Sequence, residues 1–95
     1  VEDFEDIAER RNTDVDKIKE NFGVKEGVVV SRVVSGPAFD AGLRRGDVIT
    51  RIGMTNVSSK TEYENALEEL KNENVIALRF VRNKKGAFVT IKIKK

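Results

Sequence analysis

Apolar positions along this chain follow two rhythms. In the last third they alternate with polar ones, through "VIALRFVR" and then "AFVTIKIK", where Val89, Ile91 and Ile93 oppose Phe88, Thr90, Lys92 and Lys94. That is the period of strands with one face on a core and one in solvent. Between them, Asn83-Lys84-Lys85-Gly86 predicts a hairpin turn with Gly86 in a left-handed position. The other rhythm is helical. In "SSKTEYENALEEL", Tyr63, Ala66, Leu67 and Leu70 fall at i, i+3, i+4 and i+7, one apolar stripe. Ser59 and Glu62 form a capping box at its start, each reaching the other's backbone N–H. "DVDKIKENFG" also reads as a helix, with Asp14 as N-cap, Ile18 and Phe22 on one face, and Gly23 ending it in a left-handed conformation.

Between the helical segments lie more strands. "GVVVSRVV" carries Val28, Val29, Val30, Val33 and Val34 between Gly27 and Gly36, a β-branched run bracketed by breakers. In "DVITRI" the pattern puts Val48, Thr50 and Ile52 on one face and Ile49 on the other, followed by a type II′ turn at Gly53-Met54 and a short extended piece from Asn56. Residues 1–4, "VEDF", alternate and read as a short strand; "EDIAERRNTD" after them reads as a loop or ragged turn. Strands predominate without βαβ alternation. The expected fold is therefore mostly β with helices (α+β): a five- or six-stranded, partly open β-barrel or sandwich capped by one long and one or two short helices.

Composition narrows the function. Ninety-five residues make one domain. A net charge of +2 with both signs interspersed lacks the concentrated basic face of a nucleic-acid binder. No apolar run approaches the length of a membrane span, so direct membrane insertion is not expected. With no Cys and no His, the chain holds no Ser-His-Asp triad, Cys-His pair, disulfide or nitrogen- or sulfur-ligated zinc. Asp14 and Asp16 lack the further ligands and turn glycine of a calcium loop, and read as a helix start. Ser58-Ser59-Lys60 is better explained by capping than by a Ser-Lys dyad, because adjacent side chains diverge. The basic C-terminal strand reads as a solvated, edge-protecting face. No catalytic residues, metal or cofactor are expected. The chain opens on Val1 and shows no signal segment, so it is expected to be a piece excised from a longer protein.

The stretch "SGPAFDAGLRRGDVITRI" concentrates backbone punctuation. Pro37 suits the first turn of a helix, Ala38, Phe39 and Ala41 fill that turn, and Gly42 ends it. Leu43 returns to the core, Gly46 allows a tight turn, and Asp47 precedes the next strand. Arg45-Gly46-Asp47 accordingly has a structural place in a turn and is not read as an adhesion motif. The run "GVVVSRVVSGPAFDAGLRRGDVITRIG" closely resembles the signature of PDZ domains, G-P-A-x-x-A-G-L-x-x-G-D. Across residues 15–93 the chain is similar to the bacterial type, with permuted strand order, carried by HtrA/Deg-family serine proteases of the cell envelope, particularly their second, C-terminal PDZ domain.

That resemblance implies a peptide-binding module that takes polypeptide C-termini or extended unfolded segments as an added strand. The groove would lie between the N-terminal strand and the helix over residues 59–70. The peptide-binding residues it implies are Val1, Glu2, Asp3 and Phe4 on the strand and Lys60, Glu64 and Leu67 on the helix, with Tyr63, Ala66 and Leu70 turned to the core. Leu67 equally reads as plain core, and Lys60 and Glu64 as a solvated i, i+4 pair. In this type the carboxylate-binding loop precedes the strand, hence is expected before residue 1; "NFGV" at residues 21–24 is the weaker rival for it. The implied setting is the periplasm or cell envelope, with the protease triad in another domain. The alternatives implied are a docking domain that sets oligomeric state through other domains or protomers of the parent, and the PDZ domain of another envelope protein such as an intramembrane metalloprotease.

Overall fold

The computed structural model describes residues 1–31 and 37–92. Val33, Val34 and Gly36 of the valine run, and Ile93 and Lys94 of the last strand, lie outside the described residues. The chain order is β1 (Glu2–Asp3), α1 (Phe4–Arg11), α2 (Val15–Phe22), β2 (Val28–Val29), α3 (Pro37–Asp40), β3 (Val48–Ile52), β4 (Thr55–Asn56), α4 (Lys60–Glu69), β5 (Val75–Arg82) and β6 (Lys85–Lys92). One antiparallel six-stranded sheet runs β1-β2-β3-β5-β6, with β4 also on β3. β2 and β4 share one edge of β3, along its first and second halves, and β5 takes the other. The expected class, mostly β with helices around a five- or six-stranded, partly open sheet structure, is the observed one: a single open six-stranded sheet, with four helices among the described residues where two or three were expected.

Both faces of this sheet are apolar, and each collects its own helices. On one face Val28, Ile49, Ile52, Ile76, Leu78 and Phe80 meet Ala66 of α4, with Tyr63, Leu67 and Leu70 packed alongside. On the other, Val29 and Val48 meet Phe4, Ile7 and Ala8 of α1 and Ile18 of α2. Each of the Val, Ile, Leu and Phe side chains contributes about 1.5–3 kcal/mol when fully buried. The alternation of β5 and β6 sorts residues as expected: Ile76, Leu78, Phe80, Val89 and Ile91 point to the first core.

Three local expectations are corrected. "EDIAERR" is helix α1, not a loop: Phe4, Ile7 and Ala8 sit at i, i+3 and i+4 and are buried, and the signal is masked when Phe4 is counted with a strand. In β3 the pairing shifts between Ile49 and Arg51. This bulge at Thr50 returns Ile52 to the face of Ile49 and turns Arg51 to the face of Val48. The β5–β6 hairpin closes on two residues, not four. Arg82 pairs with Lys85 and Gly86 lies in the strand opposite Val81, while Asn83 and Lys84 both have positive φ (54° and 67°), the signature of a type I′ turn.

Other local signals hold. Asp14 Oδ1 accepts from the Asp16 N–H at 2.9 Å at the start of α2. Gly53 has φ +58° in the two-residue turn joining Ile52 to Thr55, while Met54 is not left-handed, as a II′ turn requires. In the Arg-Gly-Asp turn, Gly46 N–H donates to Val30 O (2.9 Å) and Asp47 N–H to Arg44 O (3.1 Å), so these residues join β2 to β3.

Candidate functional site: an edge strand beside a helix

β1 is an edge strand. Glu2 pairs with Val29 and Asp3 with Val28, and no strand occupies its other edge among the described residues. Strand alternation divides its side chains. Val1 packs against the α4-side core. Glu2 turns the other way and receives a forked pair from α1, Arg10 Nη1 to Oε2 at 2.5 Å and Nη2 to Oε1 at 3.2 Å. This hydrogen-bonded guanidinium holds the Glu2 carboxyl below the ordinary carboxylate value.

Asp3 crosses to the helix. It stands at the N-cap of α1 but makes no side-chain bond there. Instead its Oδ1 accepts from the backbone N–H of Lys60, the first residue of α4, where an N–H has no partner inside the helix. The carboxylate thus meets the positive end of the α4 dipole and fixes β1 beside the helix.

The rest of the α4 N-terminus is built from its own sequence. Ser59 Oγ accepts from the Glu62 N–H at 3.1 Å. The reciprocal half of the expected box falls one residue earlier: Glu62 Oε1 accepts from Ser58 N (2.8 Å) and Ser58 Oγ (2.6 Å), not from Ser59. These bonds from Ser58 lower the Glu62 pKa. Inward, burial pushes the Tyr63 phenol up. Outward, Lys60 and Glu64 are exposed, and Leu67, half-buried, packs against the same core as Val1.

The structure therefore sets Val1, Asp3, Lys60 and Leu67 on the α4 side of the sheet, Asp3 bonded to Lys60 and Val1 and Leu67 packed against one core, while Glu64 is exposed on α4. Two expected residues stand apart from that side. Phe4 is 1% exposed within the second core, edge-on to Phe22 with ring centroids 5.7 Å apart. Its side chain is unavailable to a peptide because it anchors α1. Glu2 faces α1 through Arg10. The rival loop at residues 21–24 is a helix end, with Gly23 left-handed (φ +76°) and the Gly23 and Val24 N–H groups already bonded to Glu20 O and Lys19 O, each at 3.0 Å. Sequence reasoning missed the Asp3–Lys60 and Glu2–Arg10 contacts; only the i, i+3, i+4 spacing of Phe4, Ile7 and Ala8 could have revealed the helix that presents Arg10.

A second polar cluster holds the end of the strand–turn–strand segment. Asp47, 2% exposed, accepts from Arg44 N (2.9 Å) and from Arg82 Nε (2.7 Å) and Nη2 (2.6 Å). Arg82 Nη2 also donates to Gly42 O at 2.8 Å, and its pKa is raised chiefly by the bond to Asp47.

Comparison with known proteins matches this geometry to a family. A family model described as PDZ domain matches residues 7–93. The chain is 35% identical over 75 residues to a probable periplasmic serine endoprotease DegP-like of Ectopseudomonas mendocina, covering 79% of this chain and 16% of that protein. It is 35% identical over 91 residues to the serine protease Do-like HtrA of Lactococcus lactis subsp. cremoris, covering 95% of this chain and 22% of that protein. The chain thus spans about a fifth or less of these curated relatives. Among solved structures it is similar to the HtrA3 PDZ domain bound to a phage-derived ligand (FGRWV), with a TM-score of 0.66, 22% identity, and coverage of 82% of this chain and 71% of that one. A PDZ domain is a non-catalytic module, and that module is the part of the protease relatives to which the chain corresponds. The chain belongs to the PDZ domain family and is related to the HtrA/DegP serine proteases.

Proposed function

We propose that this domain is the peptide-binding module of an HtrA-like serine protease of the cell envelope, and that it captures extended or C-terminal polypeptide segments by adding them as a strand to the free edge of β1, beside α4. The observation that carries this reading is the state of β1: one edge is paired with β2, no strand among the described residues takes the other, and Asp3 is bonded to the first N–H of α4. An incoming segment gains main-chain hydrogen bonds from β1, while alternate side chains contact the helix flank. Val1 and Leu67 supply the apolar floor, and Lys60 and Glu64 face polar or charged ligand residues. Support also comes from the HtrA3 PDZ domain, whose structure holds a peptide, and from relatives named periplasmic. An affinity in the micromolar range, about −8 kcal/mol or weaker, is expected.

The test is an amide NMR titration with peptides of apolar C-terminus, each as free carboxylate and as carboxamide. Saturable shifts at residues 1–3 and at Lys60, Glu64 and Leu67 are expected. Loss of those shifts on amidation identifies C-terminal recognition, and equal shifts with both forms identify extended-strand capture. Silence with either peptide at millimolar concentration would overturn the reading.

A further inference from the structure

The sheet face that carries α1 and α2 is only half covered. Beyond Val29, Val48 and Val81, where those helices pack, the same face continues into a row across three strands. Arg51 of β3 lies directly opposite Arg79 of β5, and Arg79 directly opposite Phe88 of β6. Like charges in direct cross-strand register repel, yet among the described residues neither guanidinium has an acidic partner. Arg51 Nε is buried and donates to nothing among the described residues. Its Nη2 meets the Met54 sulfur, at 3.9 Å.

Two hollows adjoin the row and share both arginines. One, of about 420 Å³, is lined also by Thr50, Asn56, Val81 and the residue 23–26 loop; its charged lining is Lys25, Arg51 and Arg79 against the single acid Glu26. The other, of about 130 Å³, is lined also by Met54, Leu78 and Phe88. Phe88 is 73% exposed and Met54 87%, and the Arg79 guanidinium lies over the Phe88 ring, 5.2 Å from its centroid. Two arginines in direct cross-strand register, one with an unpartnered Nε and neither with an acidic partner among the described residues, are suited to a shared carboxylate. Large apolar side chains left exposed beside them are suited to a neighbouring apolar group on the same ligand.

We infer that the Arg51–Arg79–Phe88 row is a second polypeptide-binding site, on the opposite sheet face from α4, for an acidic segment of a partner protein in which an Asp or Glu is flanked by apolar side chains. The carboxylate bridges Arg51 and Arg79, relieving their repulsion, and the flanking apolar side chain covers Phe88 and Met54. The inference does not depend on strand addition at β1.

A blocked probe isolates this site from any terminal-carboxylate recognition. The peptide acetyl-Leu-Asp-Leu-Asp-Leu-amide is titrated into the 15N-labelled domain at low salt, beside its Asn-for-Asp counterpart. Saturable shifts at Arg51, Arg79 and Phe88 are expected with the acidic probe alone, weakening as salt screens the pair. In the double variant Arg51→Gln/Arg79→Gln the affinity should fall about tenfold or more, with a melting temperature equal to or above that of the wild type because the like-charge pair is gone. If that variant does not fold, the comparison of acidic and Asn probes on the wild type decides. Equal shifts with the Asn probe, shifts confined to residues 1–3 and α4, no saturable shift at low salt, or a concentration-dependent dimer whose interface maps to this row would each overturn the inference.

Discussion

The Asp47–Arg82 pair offers an asymmetric test of what holds this fold together. The two partners sit in different surroundings: the Asp47 side chain is 3% exposed and that of Arg82 is 44% exposed. Replacing Arg82 by Met keeps an unbranched aliphatic side chain but removes the guanidinium, which lies 5.2 Å from the Phe80 ring centroid, and so strips two charge-assisted bonds, at 2.7 and 2.6 Å, from a buried carboxylate. The carboxylate keeps only the Arg44 N–H. Breaking a fully buried pair costs about 3–5 kcal/mol, and partial access of water to this one brings the expected loss to about 2–4 kcal/mol. Asp47→Asn should cost less. The amide oxygen still accepts from Arg44 N and Arg82 Nη2; its NH2 replaces the oxygen that accepted from Arg82 Nε, but Arg82 is open enough to turn that N–H to water, so the loss is held to about 1–2 kcal/mol. Urea denaturation followed by far-UV circular dichroism measures both. With a slope of about 1 kcal/mol per molar, Arg82→Met should lower the midpoint by about 2–4 M and Asp47→Asn by about half that. The double variant should lose less than the sum of the two singles, since the partners share one interaction. If Asp47→Asn proves as costly as Arg82→Met, or if both fall within about 0.5 kcal/mol of wild type, the reasoning from unequal burial is wrong.

Two further perturbations probe the proposed groove. Proline is tolerated at the first position of a helix, so Lys60→Pro should leave α4 intact while deleting the N–H that Asp3 accepts; β1 should then loosen, with faster hydrogen exchange at the β1–β2 ladder and a stability loss of about 1 kcal/mol. Unchanged exchange there would deny Asp3 its latching role. At the α4 N-terminus, Ser59→Ala should cost about 1 kcal/mol by thermal or urea unfolding. Glu2 and Glu62 both have folded-state pKa values below the ordinary carboxylate value, so their contribution is complete above that value and disappears as pH falls through the lower, folded-state one. Stability measured from neutral pH into acid should decline over that window, and the decline should be shallower in a Glu2→Gln/Glu62→Gln variant.

What the sequence determined by itself was whatever a few neighbouring residues decide. Ser59 and Glu62 mark the start of α4, Asp14 and Gly23 delimit α2, and the alternation of β5 and β6 gives their inward faces, because capping, left-handed helix ends and strand period act within four or five residues of one another. The Gly36–Asp47 pattern also carries the family resemblance, since a turn, a single helical turn and a return to the core must be encoded locally. Local rules failed where two were in competition. Phe4 fits both the alternation of "VEDF" and the first turn of α1, and it is burial against Phe22 and Val48 that decides. Gly86 suggested a wider turn than the Asn83-Lys84 reversal that the strand twist selects.

Only the tertiary structure decided the long-range pairs, both those that hold the fold and those in the proposed sites. Asp3 and Lys60 are 57 residues apart and Asp47 and Arg82 are 35 apart. Arg51 meets Arg79 because the bulge at Thr50 turns it onto that face. Sheet register, the bulge and the packing of helices on two apolar faces place these side chains together. No short-range preference in the chain specifies that register, because it is set by the joint burial of both cores.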